Sequence, residues 1–145
     1  MDRGGSAVST TCGRKPRMYL IDTSAWIEFL RNTGSSTCEQ VEMLLEAEPF
    51  VCEPVTMEIL AGARDEVHLR ELRRLIARCI TVQTATADFE FAAALYRECR
   101  RNGRAPRRIT DCLIAAIAIR HDVALLHHDR DFESLAQHSE LRLAT

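Results

Sequence analysis

MYLIDTSAWIEFL, residues 18–30, places an acid where a buried strand ends. Met18, Tyr19, Leu20 and Ile21 form a short run without polar alternation, as expected of a strand covered on both faces. Asp22 closes the run. Thr23 and Ser24 then open a helical pattern, TSAWIEFLRN, with its cap expected at Thr23 or Ser24. Trp26, Ile27, Phe29 and Leu30 supply its apolar face. A carboxylate at a strand exit has a plain explanation, capping of the next helix. It also has a chemical one, membership of an acidic site, and the other strand exits bear on the choice.

Working outward, CEQVEMLLEAE reads as a second helix, with Val41, Leu44 and Leu45 inward. Residues 50–52 are a second strand, and Pro54 suits the first turn of the helix in PVTMEILAGA. DEVHLRELRRLIARC carries a helical stripe of Val67, Leu69, Leu72, Leu75 and Ile76, and ITV at 80–82 is a third strand. TADFEFAAALYRECRRNG is a long helix stopping at Asn102-Gly103. After the loop GRAPRR, TDCLIAAIAIRHD is apolar all round and reads as a buried helix. VALLHHD is a fourth strand, RDFESLAQ a short helix, and LRLA a fifth strand at the sheet edge. Strands alternating with helices predict an α/β fold with a mainly parallel five-stranded sheet, covered on both faces.

A length of 145 residues favours one domain. Residues 1–17, rich in Gly, Ser, Thr and basic residues, read as a disordered N-terminal tail, so residues 18–145 are expected to form the domain and Met18 would serve as a natural start. The composition, 46% hydrophobic and 28% charged, is that of a soluble globular protein. No apolar run approaches the roughly 20 residues of a membrane span, and the first residues lack a signal peptide's apolar centre. The expected location is the cytoplasm, where the cysteines would be reduced and act as small hydrophobes. They form no C-x-x-C pair, which argues against a zinc site. A net charge of −2 gives no global field for nucleic acid, although every basic residue except Lys15 is arginine.

In a parallel sheet, ligands bind beyond the carboxyl ends of the strands. Asp22 lies past strand one and Asp129 past strand four. Glu58 lies one turn into the helix after strand two. Asp111 begins the helix that feeds strand four, and a crossover helix running against the strands starts at that same edge. Four carboxylates can therefore converge. Gathered carboxylates repel unless a cation neutralises them, and oxygen ligands select Mg²⁺ or Mn²⁺. Two such ions would suit phosphodiester hydrolysis. Each acid also has an ordinary reading: Asp22 and Asp111 as helix caps, Glu58 as a solvated helix residue, Asp129 and Asp131 as turn acids. Asp131, two residues on, would face away from Asp129 in an extended segment and ranks below it. His127 and His128 read as strand-end histidines, with metal ligation or proton transfer the sharper alternative. Arg97, Arg100, Arg101 and Arg104 follow helical spacing and would form a basic stripe, and Arg107 and Arg108 lie in the loop before Asp111. Such a stripe fits RNA or an acidic partner protein, and equally a solvated face.

LIDTSAWIEFL, EPVTMEILAGAR and RITDCLIAAIAIRHDVALLHHDRDF together resemble the PIN-domain family, and within it the VapC toxins of bacterial toxin–antitoxin pairs. The resemblance covers nearly all of the chain from residue 18. It implies a three-layer α/β/α sandwich and an endoribonuclease dependent on Mg²⁺ or Mn²⁺. The family's four acids fall on Asp22, Glu58, Asp111 and Asp129. Thr23 or Ser24, and Thr110, match the hydroxyl positions beside them. Asp22 and Asp111 would be the principal metal ligands, with Glu58 and Asp129 holding a second ion or orienting the water. The resemblance further implies a homodimer, a VapB-like antitoxin that blocks the site, a larger assembly of the two, and tRNA or rRNA as substrate. The N-terminal tail and the histidine pair before Asp129 depart from the pattern.

Two other classes fit part of this pattern. A signalling receiver domain also sets acids at strand exits, but it needs a phosphorylatable Asp after strand three and a Lys after strand five. The sequence has QTATADF after strand three, and Lys15 lies in the tail. A non-catalytic PIN-like module that docks RNA or protein is the alternative that keeps the fold.

Overall fold

The computed structural model describes residues 18–145. The disordered tail expected for residues 1–17 lies outside the described residues. The elements run β1 (Tyr19–Ile21), α1 (Thr23–Leu30), α2 (Ser36–Leu45), β2 (Phe50–Cys52), α3 (Glu53–Ala61), α4 (Glu66–Ile76), β3 (Ile80–Val82), α5 (Thr86–Arg101), α6 (Ile109–Arg120), β4 (Ala124–Leu126) and α7 (Arg130–Gln137). The strand order is β3-β2-β1-β4, with every pairing parallel. Leu20 registers with Phe50 on one side and Leu125 on the other.

Four strands replace the five expected. The LRLA segment makes one parallel bridge, Leu143 to Leu125. Its ladder bonds are the Leu125 amide to the Arg142 carbonyl and the Ala144 amide to the Leu125 carbonyl. The Ser139 hydroxyl holds the preceding turn by donating to the Leu135 carbonyl and accepting from the Leu141 amide. The segment reaches the sheet only at Leu143, too briefly to register as a strand.

The strands are short and apolar because both faces are covered: Leu20, Ile21, Val51, Cys52 and Leu125 are fully buried. β1 to β2 to β3 steps one way across the sheet, and β3 to β4 returns past them. Right-handed crossovers then put α1–α4 on one face and α5–α7 on the other. The packing follows this split in the main, with α1 contacting α2 and α3, α3 contacting α4, and α5, α6 and α7 packing on one another, while α3 also meets α6. In α6, Cys112 and Ile114 through Ala118 are buried, so its lack of amphipathicity reflects burial on nearly every side. In α4 the stripe turns inward chiefly at Leu72, whereas Val67 is exposed.

The strand order reverses at β1, whose sequence neighbour β2 lies on one side and β4 on the other. That is a topological switch point, where chain leaving adjacent strands diverges to opposite faces and opens a crevice. Asp22 leaves β1 there, and Asp129 lies just beyond β4.

Candidate metal centre

Asp22 is the N-cap of α1, correcting the expected cap at Thr23 or Ser24. Its Oδ2 accepts from the Ser24 amide at 2.8 Å and the Ser24 hydroxyl at 2.5 Å. The Ser24 hydroxyl oxygen in turn accepts from the His128 amide at 2.8 Å, tying the exits of β1 and β4 together. Capping consumes only one carboxylate oxygen. Oδ1 is buried and has no hydrogen-bond partner among the described residues. Burial, with repulsion from Glu58 added, pushes the Asp22 carboxyl up to about 6 against the bonds from Ser24.

Asp111 does not cap α6. The N-cap is Arg108, which makes no side-chain cap, and Asp111 sits at the third helical position. It is 6% exposed. Burial first, then the charges of Asp22 and Asp129, push it up to about 7, with Arg108 opposing. A carboxylate in a helix's first turn is favoured by the helix dipole, but that does not offset repulsion from neighbouring acids.

Glu58 projects from α3. Its Oε1 accepts from the Thr23 hydroxyl at 3.1 Å and its Oε2 from Arg108 Nη1 at 3.4 Å. Asp129 caps α7, with Oδ1 accepting from the Asp131 amide at 3.0 Å and from Arg107 Nη2 at 2.9 Å. Asp131 joins the cluster: its Oδ2 accepts from the Arg107 amide at 3.0 Å and Nε at 3.2 Å. Oxygens of Asp111, Asp129 and Asp131 lie within 4.8 Å of one another. Strand alternation does not apply to Asp131, because α7 starts at Arg130. A D-x-D at a helix start, rather than in a strand, is the signal that would have found it.

The remaining residues divide. Thr23 and Ser24 bond to acids of the cluster, whereas Thr110 makes no side-chain hydrogen bond among the described residues. His127 Nδ1 accepts from the Asp129 amide at 3.0 Å, its ring packs on Phe132, and burial lowers its pKa. His128 turns to Thr37 and Glu28, away from the acids. The arginine stripe is shorter than its spacing suggested. α5 ends at Arg101, and Gly103 takes φ 71°, so Arg104 lies beyond the helix. Arg97, Arg100 and Arg104 are exposed. Arg100 stacks on Tyr96, and Arg101 pairs with Glu98 one turn back. Cys52, the last residue of β2 and the N-cap of α3, is kept neutral by burial, which pushes its thiol up to about 12.

The donor set suits a hard divalent cation. It is all carboxylate oxygen, with one buried oxygen of Asp22 unpartnered among the described residues and a second buried acid, Asp111, that feels its charge. Mg²⁺ or Mn²⁺ bound there would lower both pKa values and remove the cost of burying two acids.

A parallel α/β sheet whose switch point gathers carboxylates defines the class. The PIN domain family profile matches residues 19–137, and the chain belongs to that family, in its VapC branch. It is 45% identical over 132 residues to ribonuclease VapC11 of Mycobacterium tuberculosis H37Rv, covering 88% of this chain and 98% of VapC11. VapBC2 of Rickettsia felis, crystallised with a promoter DNA fragment, superimposes with a TM-score of 0.71 at 17% identity, covering 88% of this chain and 97% of that one. VapBC-1 of nontypeable Haemophilus influenzae gives 0.71 at 20% identity, covering 88% and 96%. At those identities the two structures show a shared fold.

Proposed function

We propose that this chain is the toxin of a type II toxin–antitoxin pair, a divalent-metal-dependent endoribonuclease acting in the cytoplasm and held inactive by a VapB-like antitoxin. The observation that carries the reading is the buried Oδ1 of Asp22, partnerless among the described residues, together with the oxygens of Asp111, Asp129 and Asp131 within 4.8 Å of one another. The identity to VapC11, a named ribonuclease, supports the reaction class. The fold neighbours solved as VapBC pairs support the kind of partner. Among the described residues no helix is long and apolar enough to cross a membrane.

Asp22 and Asp111 would hold the cation, with Glu58 and Asp129 completing the acidic set. Bound Mg²⁺ or Mn²⁺ supplies Lewis acidity: an activated water and a stabilised leaving oxygen. The chain's own groups orient the rest. Ser24 fixes Asp22 through Oδ2 and leaves Oδ1 for the ion, while Thr23, past β1, holds Glu58 of the helix after the neighbouring strand β2. Arg97, Arg100 and Arg104 offer a track for the RNA backbone, or for the antitoxin, toward the sheet edge. Because water attacks rather than the 2′-hydroxyl, the products are a 5′-phosphate and a 3′-hydroxyl. A homodimer, and a larger assembly with antitoxin, belong to the same reading.

The test is cleavage of tRNA and rRNA fragments by purified, antitoxin-free protein with Mg²⁺ and with chelator, followed by end-group analysis. Metal-dependent cuts with 5′-phosphate ends are expected. Cleavage that persists in chelator, or cyclic phosphate ends, would contradict the reading.

A further inference from the structure

The two halves of the acid cluster differ in what neutralises them. Asp22 keeps a buried oxygen with no partner among the described residues. Asp129 and Asp131 share one guanidinium: Arg107 Nη2 lies 2.9 Å from Asp129 Oδ1, and its Nε lies 3.2 Å from Asp131 Oδ2. Those two acids and Asp111 nevertheless bring oxygens within 4.8 Å of one another, close enough to share a divalent ion. A guanidinium and a divalent cation compete for the same oxygens and repel each other, so the acids take one or the other.

We propose that Arg107 is an internal counter-cation that closes the Asp129–Asp131 pair to a second divalent ion, so that the free protein takes a single ion at Asp22 and Asp111. The inference rests on the metal-dependent reading above and sharpens it, because it fixes the resting stoichiometry through a residue of the loop 102–108. The loop is held independently of the guanidinium. The Arg107 backbone amide donates to Asp131 at 3.0 Å, and Pro106 is buried. Removing the guanidinium therefore uncovers the acids without freeing the loop. The Arg107 side chain is 74% exposed, so its two ion pairs are weak enough for an RNA phosphate to displace.

The experiment is Mn²⁺ titration of the full-length, antitoxin-free protein, by calorimetry and by electron paramagnetic resonance of the free ion. Wild type is expected to bind one ion tightly. Arg107→Gln is expected to bind a second with affinity raised about tenfold over any second site in wild type, the scale of losing two exposed ion pairs. Arg107→Gln/Asp131→Asn should lose that second site, and Arg107→Lys should behave more like wild type. Circular dichroism melts of each variant check that the fold is kept. Two equal sites in wild type, an Arg107→Gln isotherm superimposable on wild type, or a second site that survives Asp131→Asn would each overturn the proposal. In those cases a first ion that Asp22→Asn abolishes still supports the nuclease reading. Absence of any ion binding, with RNA cut in chelator, would remove both.

Discussion

Asp88 and Asp22 are the same residue type at nearly the same burial, 1% and 3% exposed, and their environments push them in opposite directions. Asp88 caps α5 through the Ala85 amide at 2.7 Å. It also accepts from Arg120 Nε at 2.7 Å and Nη2 at 3.0 Å, and Arg120 Nη2 in turn bonds the Gln83 carbonyl. Burial alone would raise Asp88, but Arg120 and the Ala85 amide outweigh it and hold the carboxyl below the usual carboxylate range. Among the described residues Asp22 and Asp111 have no cation bonded to them, and burial pushes them up to about 6 and about 7, with only the charge of Arg108 opposing at Asp111. The lesson is that burial of an acid does not mark a site. A buried acid whose charge the chain leaves uncompensated does, because the missing charge must arrive from outside.

The largest way to sharpen this contrast is by activity. Asp22→Asn should lower metal-dependent RNA cleavage about a thousandfold or more, the loss of several kcal/mol of transition-state stabilisation. Asp88→Asn should leave the cleavage rate of the folded fraction near wild type, as measured with a synthetic RNA at low temperature.

Stability should move the opposite way. Asp88→Ala breaks a pair with one buried and one half-exposed partner and removes a cap, so urea denaturation should show a loss of about 3 kcal/mol. Asp22→Asn, without metal at pH 8, relieves a buried charge while an amide oxygen can still cap α1, and should gain about 1–3 kcal/mol. Equal losses in both variants would break the comparison.

The pH dependence follows from the same groups. Burial pushes Asp22 and Asp111 up from an ordinary 3.8 to about 6 and about 7. Between about pH 4 and 7 the native state binds more protons than the unfolded state, so their contribution makes metal-free stability fall as pH rises. His127, lowered by burial from an ordinary 6.5, works the other way just below that value, where its contribution makes stability rise with pH. Comparing melts with and without Mg²⁺ at each pH separates the two effects. The Mg²⁺-induced rise in Tm should grow from pH 5 to pH 8, because the ion needs deprotonated acids. Asp88 contributes in the reverse sense and at lower pH, its stabilisation being lost only as the solution becomes strongly acidic.

The smallest expected effect is at Arg108. Its contact with Glu58 is 3.4 Å long and its side chain is 68% exposed. Arg108→Gln should change stability by less than about 0.5 kcal/mol in urea titrations.

Much of this was legible in the string. Three apolar residues before Asp22, and three more before the HHD motif, mark doubly covered strands because no polar alternation interrupts them. The all-round apolar α6 marks a helix that must run against them and start at the site edge. Those features place Asp22, Asp111 and Asp129 at one edge without coordinates. Side-chain direction is what the string hides. A strand's period of two turns Asp131 away from Asp129, but the chain has already turned into α7 at Arg130. The stripe through Arg104 assumed a helix that Gly103 ends. The latching of Arg107 across Asp129 and Asp131 depends on loop geometry that no spacing encodes. LRLA carries the alternation of a strand, but it reaches the sheet for only one residue.

The central claim is that Asp22 and Asp111 form an incomplete pair that a divalent cation completes. The most direct measurement is anomalous diffraction from crystals of the protein grown with Mn²⁺. A peak within roughly 2.0–2.4 Å of Asp22 Oδ1 and of an Asp111 oxygen is the predicted result. No peak there at saturating Mn²⁺, with both acids well ordered, would contradict it.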